Sequence, residues 1–320
     1  MNSGAGSEAH DLVVSEAGQG QRLDRYLAEA AAIVSRSQLK ARLVSVAVNG
    51  QEAKLSRLVE PGDRIRLELA AIPPMDLRAE AMHLDILFED ANVLVVNKPA
   101  GLVVHPAAGN HTGTLVHGLL HHFGELKDQD FEDESRPGIV HRLDKDTSGV
   151  MIIAKHPAAH EWLSAQFQAR TTKKTYLAIA AGRIAWTTMH LEGFIRRDPA
   201  NRQRFMHDTA QGKAASTDFE LLASGRDFSL LRVKPLTGRT HQIRVHARHL
   251  GHALLADPIY GKSDKRFTDL RLMLHAFRLE ICLPGESAAR TFQAPVARDM
   301  REVAISLGFG EALNRLSVEG

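Results

Sequence analysis

A chain of 320 residues is long enough for two or three domains, each with a core of its own. Hydrophobic residues at 44% and charged residues at 24% are ordinary for a globular protein, and a net charge of +2 gives no wholesale argument for nucleic-acid binding. The single cysteine, Cys282, excludes an internal disulfide and a thiolate metal cluster, and no apolar run reaches the roughly 18 residues of a membrane span.

Residues 1–18 are small and polar and read as a mobile tail, without the basic and apolar stretches of a signal peptide; the expectation is a cytoplasmic protein. RLDRYLAEAA places Leu23, Tyr26 and Leu27 at helical spacing. SRSQLKARLV predicts a second helix, capped by Ser35 or Ser37, with Leu39 and Leu43 on one face. VAVNGQEA alternates and turns at Asn49-Gly50, a strong hairpin signal, and PGDRIRLEL adds another strand. Together they make a helix-helix-hairpin unit over 19–72. Between 21 and 66 stand nine Lys/Arg against five acids, with Arg36, Lys40 and Arg42 in the second helix. Such side chains grip RNA phosphates; a solvated small domain with surplus charge is the bland alternative.

IPPMDLRAE reads as a linker over 73–82. The rest, 83–315, alternates strands and helices. ILFED and VLVV are strands, GTLVHGLLHHF a helix, and FGELKDQDFEDESRPG an acidic loop. GVMIIAK is a strand, AHEWLSAQFQAR a helix, TYLAIAAG and FSLLRVKPL strands, HQIRVHARHLG a helix, and RLMLHAFRLEICL a strand. This order predicts an α+β domain with a mixed, largely antiparallel sheet and flanking helices.

Three polar knots interrupt these elements. HRLDKDTSG sets Asp144 between Arg142 and Lys145, just before an apolar strand; Asp146-Thr-Ser-Gly reads as a tight turn. Alone, such an Asp is more often a structural ion pair or turn cap than a catalyst. LTGRTHQIRVH crowds Arg239, His241, Arg244 and His246, with His241 and Arg244 three apart on one helix face. KKTYLAIAAG supplies Tyr176, one of three tyrosines; a strand Tyr is normally core. His117, His121 and His122 cluster on one helix without HExxH spacing, and read as a surface or RNA-facing group rather than a metal site.

HRLDKDTSG, KKTYLAIAAG and GRTHQIRVH, in this order and spacing, resemble the RluA family of RNA pseudouridine synthases. VVNKPAGLVVHPAAGNHTGTLVHGLL and GHALLADPIYG resemble it too, the former in its subgroup acting on large-subunit ribosomal RNA, the RluD type. The resemblance runs from about 12 to 310. It implies a pseudouridine synthase fold preceded by a small S4-like α/β RNA-binding domain. It also implies isomerisation of uridine to pseudouridine without metal or cofactor, on a base flipped from its stack. Asp144 would start glycosidic cleavage, as nucleophile or as base at C2′. Arg244 would ion-pair with Asp144, and Tyr176 would pack on the uracil and serve the C5 proton step. Arg142 would fill the gap left by the flipped base, Arg239 would meet a phosphate or a neighbouring side chain, and Leu274 would form an apolar wall under the base. The implied partner is 23S ribosomal RNA in the large subunit or its precursor; from the sequence itself, which carries no membrane span and no interface signal, no membrane partner and a monomer are expected. The same chemistry on tRNA, or a non-catalytic ribosome-assembly protein, are the alternatives. Two positions depart from the family pattern: Val44 stands where Gly usually precedes the VNG turn, and Ala256 replaces Gly in LADPIYG.

Overall fold

The computed structural model describes residues 7–31, 33–34, 39, 42–70, 77–106, 109–124, 131, 136–201 and 203–316. The chain divides into two units, 1–76 and 77–320.

In the first unit the alternation of RIRLELA turns Ile65, Leu67 and Leu69 inward from strand β6 (Arg64–Ala70). They pack with Val46 and Val48 of β3 (Leu43–Val48) and with Leu23, Tyr26 and Leu27 of a short helical segment. Asn49 (φ 54°) and Gly50 (φ 79°) take the two left-handed positions that a tight turn into β4 (Gln51–Glu52) requires. The antiparallel sheet runs β1-β6-β3-β4, with β2 (Gln21–Arg22) and β5 (Leu58–Val59) paired apart from it. The expected mobile tail is corrected here, because Ser7–Val13 is strand β1, paired with β6 from Ser7–Ala70 to Val13–Arg64. A polar sequence suits that place, since an edge strand needs backbone partners more than apolar side chains. Val44 sits 56% exposed where the β3–β6 register shifts between Leu43 and Ser45, so the departure from glycine coincides with a bulge. Most of the predicted second helix, with Arg36 and Lys40, lies outside the described residues.

Residues 77–82, expected in a linker over 73–82, instead belong to the second unit. Leu77 is buried in the core of the second unit, and the Glu80 N–H donates to the His117 carbonyl at 3.0 Å. Apolar Leu77 and the Glu80 backbone thus tie 77–82 to that unit.

The second unit holds one mixed sheet in the order β12-β11-β13-β14-β10-β15-β9-β8-β7, with β16 also on β15. Its strands are β7 (Ile86–Glu89), β8 (Val93–Lys98), β9 (Ser148–Ala154), β10 (Lys173–Ala181) and β11 (Thr188–Arg197). They continue with β12 (Phe205–Asp208), β13 (Lys213–Ser224), β14 (Phe228–Pro235), β15 (Leu274–Cys282) and β16 (Ala289–Gln293). The helices are α1 (Leu115–Phe123), α2 (Pro157–Ala169), α3 (Gln242–His249), α4 (Arg298–Ser306) and α5 (Gly310–Leu316). The hairpin β11–β13 and the two C-terminal helices were not foreseen from the sequence. No helix among the described residues is long and apolar enough to cross a membrane.

VLVV of β8 and all of β9 are buried, the unbroken apolar pattern of strands covered on both faces. The one parallel pairing among the described residues joins β9 to the start of β15, at Ser148–His275 and Ala276–Gly149; farther along, the same edge of β15 takes β16. Gly149 is explained by this crossing rather than by the predicted turn. Its φ is +115°, and a β-carbon there would lie 2.1 Å from the Ala276 carbonyl oxygen.

His117 is buried, contrary to a surface reading; its Nδ1 lies 2.7 Å from the Thr114 hydroxyl in a capping box at the start of α1. His122 meets Glu89 at 3.0 Å, and His121 is exposed.

Candidate active site

The loop before β9, the start of β10, the β14–α3 loop and the start of β15 enclose a cavity of about 490 Å³. Asp144, Tyr176, Arg244, Arg142, Arg239 and Leu274 all line it. Chain positions 142 to 274 thus converge on one space, through a sheet order no local pattern encodes.

The loop carrying Asp144 is held from beneath. His141 stacks on Phe167 with ring centroids 4.6 Å apart, and its Nε2 accepts the Ile152 N–H at 3.1 Å. Burial, with the nearby charge of Lys174, pushes His141 down to about 3, so it is a neutral acceptor rather than a proton shuttle. Lys98, fully buried at the end of β8, donates to the carbonyls of Pro99, Leu102 and Lys145 at 2.8–3.1 Å. One of these acceptors adjoins Asp144, so the buried ammonium pins the loop next to the carboxylate.

Arg244 is the hub. Its Nε and Nη2 donate to the two carboxylate oxygens of Asp257, both at 2.8 Å, in a planar two-pronged pair. Its Nη1 donates to Asp144 Oδ2 at 3.0 Å. Burial works against the Arg244 charge, but the bonds and charges of Asp257 and Asp144 more than offset it and raise its pKa. Burial would raise Asp257 as well, but Arg244 and the N–H groups of Ile259 and Tyr260 hold it below the usual carboxylate range. The Asp257 side chain is sealed from solvent, whereas that of Asp144 keeps 22% exposure. One carboxylate therefore orients the guanidinium, and the other faces the cavity.

A second layer supports this pair. His241, left-handed (φ 56°) before α3, has Nε2 3.9 Å from Asp144 Oδ2 and Nδ1 2.9 Å from the Tyr260 hydroxyl. The Tyr260 oxygen also accepts the Phe205 N–H at 2.9 Å, so one hydroxyl ties β12 to the His241 ring. Burial lowers the His241 pKa, against the pull of Asp144, and favours the neutral ring. Tyr176 is half-buried; burial, with the charge of Asp144, pushes its hydroxyl above the ordinary tyrosine value. Leu274 is buried at the cavity wall and Arg142 is exposed at its rim.

Arg239 donates from Nε to the Ala214 carbonyl at 2.9 Å. Arg42, in the first unit, donates to the Ala70 carbonyl at 2.8 Å and pairs with Glu8 at 2.9 Å. Sequence reasoning assigned no role to Asp257, His241, Tyr260 or Lys98. Asp257 and Tyr260 stand in the DPIYG segment and Lys98 in NKPAG, so the motifs were visible but their partners were not.

A family model described as RNA pseudouridylate synthase matches residues 92–249. An uncharacterized RNA pseudouridine synthase of Bacillus subtilis (strain 168), YlyB, is 40% identical over 300 residues, covering 93% of this chain and 97% of that one. The ribosomal large subunit pseudouridine synthase D of Borreliella burgdorferi is 42% identical over 277 residues, 85% of each chain. Among solved structures, human RNA pseudouridylate synthase domain containing 1 superposes with a TM-score of 0.54 at 26% identity, covering 71% of this chain and 95% of that one.

Proposed function

This chain belongs to the RNA pseudouridine synthases of the RluA family, and from that premise we propose that it isomerises uridine to pseudouridine in 23S ribosomal RNA, with Asp144 as the catalytic carboxylate. The observation that carries the role of Asp144 is its partially exposed carboxylate, held by an arginine that a second, sealed carboxylate orients. The ribosomal target rests on the relative named for the large subunit.

In this reading the target uridine leaves its stack at a cost of a few kcal/mol and enters the cavity. Asp144 starts cleavage of the C1′–N1 bond, by attack on C1′ or by taking the C2′ proton. Arg244 holds the carboxylate in its reacting orientation. The freed uracil turns between Tyr176 and Leu274, and C5 bonds to C1′. The C5 proton leaves and N1 ends protonated, so no atom is gained or lost and no external redox partner enters. Tyr176, kept protonated by burial, is suited to relay the C5 proton rather than to act as a standing base. Arg142 at the rim meets the RNA where the base has left. The first unit, S4-like in sequence and rich in Lys/Arg, contributes a grip on the RNA backbone through Arg36 and Lys40.

Purified Asp144→Asn should lose pseudouridine formation on a 23S transcript while still binding it. Turnover by that variant would remove Asp144 from the reaction. Mapping of pseudouridine in a strain without the gene should show a lost 23S site; intact 23S with a lost tRNA site would redirect the target.

A further inference from the structure

Away from the Asp144–Arg244 pair, the cavity carries cations without a carboxylate. Arg170, Lys174 and Arg239 line it beside Thr237 and Gly238. Lys174 is half-buried, and among the described residues its Nζ donates only to the Thr237 carbonyl, at 3.5 Å, the outer limit of a hydrogen bond. Beyond its Nε bond to Ala214, the Arg239 guanidinium makes no other hydrogen bond among the described residues, and the Arg170 guanidinium makes none. Burial lowers the Lys174 pKa, and the like charges of Arg170 and Arg239 lower it further. Asp144, by contrast, acts on Tyr176, His241 and Lys98.

The backbone adds an independent sign. Arg170 caps the C-terminus of α2 in the left-handed region, φ 59° and ψ 31°. A residue with a β-carbon costs about 1–2 kcal/mol there, and glycine is the usual occupant. A helix that needed only to stop would take glycine; this one keeps an arginine whose side chain lines the cavity.

The geometry points to an anion subsite formed by Arg170, Lys174 and Arg239 that takes a phosphodiester group of the RNA strand whose uridine enters the cavity. The inference rests on the uridine-isomerising reading of the Asp144 site and adds to it where the strand is held. A phosphodiester supplies the counter-charge that the protein withholds, and replaces the long Lys174 contact with charge-assisted bonds of about 2.7–2.9 Å. Free uridine, which has no phosphate, would forgo this interaction, so the subsite favours a strand over a nucleoside.

The test uses Lys174→Gln, Arg170→Gln and the double variant in the full chain, with a 23S rRNA transcript as probe. Each substitution should raise KM about tenfold, the worth of one hydrogen bond to a charged group, with kcat little changed. The slope of log affinity against log salt should flatten by about 0.7–1 for each cation removed. An unchanged KM and slope overturns the subsite. So does a fall in kcat at unchanged KM, because the side chains would then serve the reacting groups. Arg170 is exposed at a helix end, so Arg170→Gln decides the matter if Lys174→Gln lowers the melting temperature. The binding measurement needs no turnover. A wild type that made no pseudouridine, beside a double variant with flattened salt dependence, would sink the uridine reading and keep the subsite.

Discussion

The two sides of the cavity treat charge in opposite ways. Around Arg244 the cation is matched: Asp257 takes two of its nitrogens and Asp144 a third. Around Lys174 three cations meet with no ion-pair partner among the described residues. Matched charge fixes geometry, because a buried guanidinium with both edges occupied cannot turn. Unmatched charge stores an attraction for something absent from the protein. On the proposed reading, the first side would hold the reacting carboxylate and the second would receive the substrate's own charge.

The sharpest way to break the contrast is Asp257→Asn. It leaves Arg244 buried with a neutral partner, and loss of one member of a buried pair costs about 3–5 kcal/mol. The denaturant midpoint should fall accordingly, and turnover should fall with it because Asp144 loses its oriented donor. Full stability and activity in Asp257→Asn would mean that Asp144 alone holds Arg244 in place.

Acid probes the matched side in another way. His246 lies on α3 two residues from Arg244, and burial, with His207 nearby, pushes it down to about 4. His275 on β15, adjoining Leu274, is pushed down to about 4 by burial and by Arg271. Their folded values lie below the unfolded value of about 6.5, so the unfolded state binds more protons between the two. Their contribution is therefore full above about pH 6.5 and is lost as pH falls toward 4, by about 3 kcal/mol per histidine. Urea titrations across that range should show the decline, and His246→Gln should flatten it if the variant folds. A flat profile would contradict neutral burial of these rings.

The smallest expected effect is at Ala256, next to Asp257. Its φ of 57° is left-handed, which explains why the family pattern has glycine there. Ala256→Gly should stabilise the protein by about 1 kcal/mol, read as a raised melting temperature, with kinetics unchanged. A drop in stability would show that the methyl group's packing outweighs the backbone strain.

Much of the fold was legible because its signals are local. The alternation of β6, the Asn49-Gly50 turn, the apolar runs of β8 and β9 and the spacing of α2 each lie within a few residues. The polar edge strand β1 escaped notice because its partner, β6, supplies what its own composition lacks. The long β11–β13 pairing is not read from the sequence although Met189 and Leu191, and Ala215, Thr217 and Phe219, alternate with more exposed neighbours. Locally Gly149 looks like a turn glycine, because the Ala276 carbonyl that forbids a side chain there lies far along the chain.

For the site, the sequence by itself determined the chemical inventory: a carboxylate in HRLDKD, a tyrosine in KKTY, an arginine in HQIRVH, and a likeness that joins the three. Only the tertiary structure decided who holds whom. Ion pairing and burial depend on distances between residues as far apart in sequence as Asp144, Arg244 and Asp257. Those distances follow from the parallel pairing of β9 with β15 and from the antiparallel run of β15, β10 and β14. The same packing set Arg170, Lys174 and Arg239 side by side, three ordinary basic residues in the sequence and an uncompensated cluster in the fold.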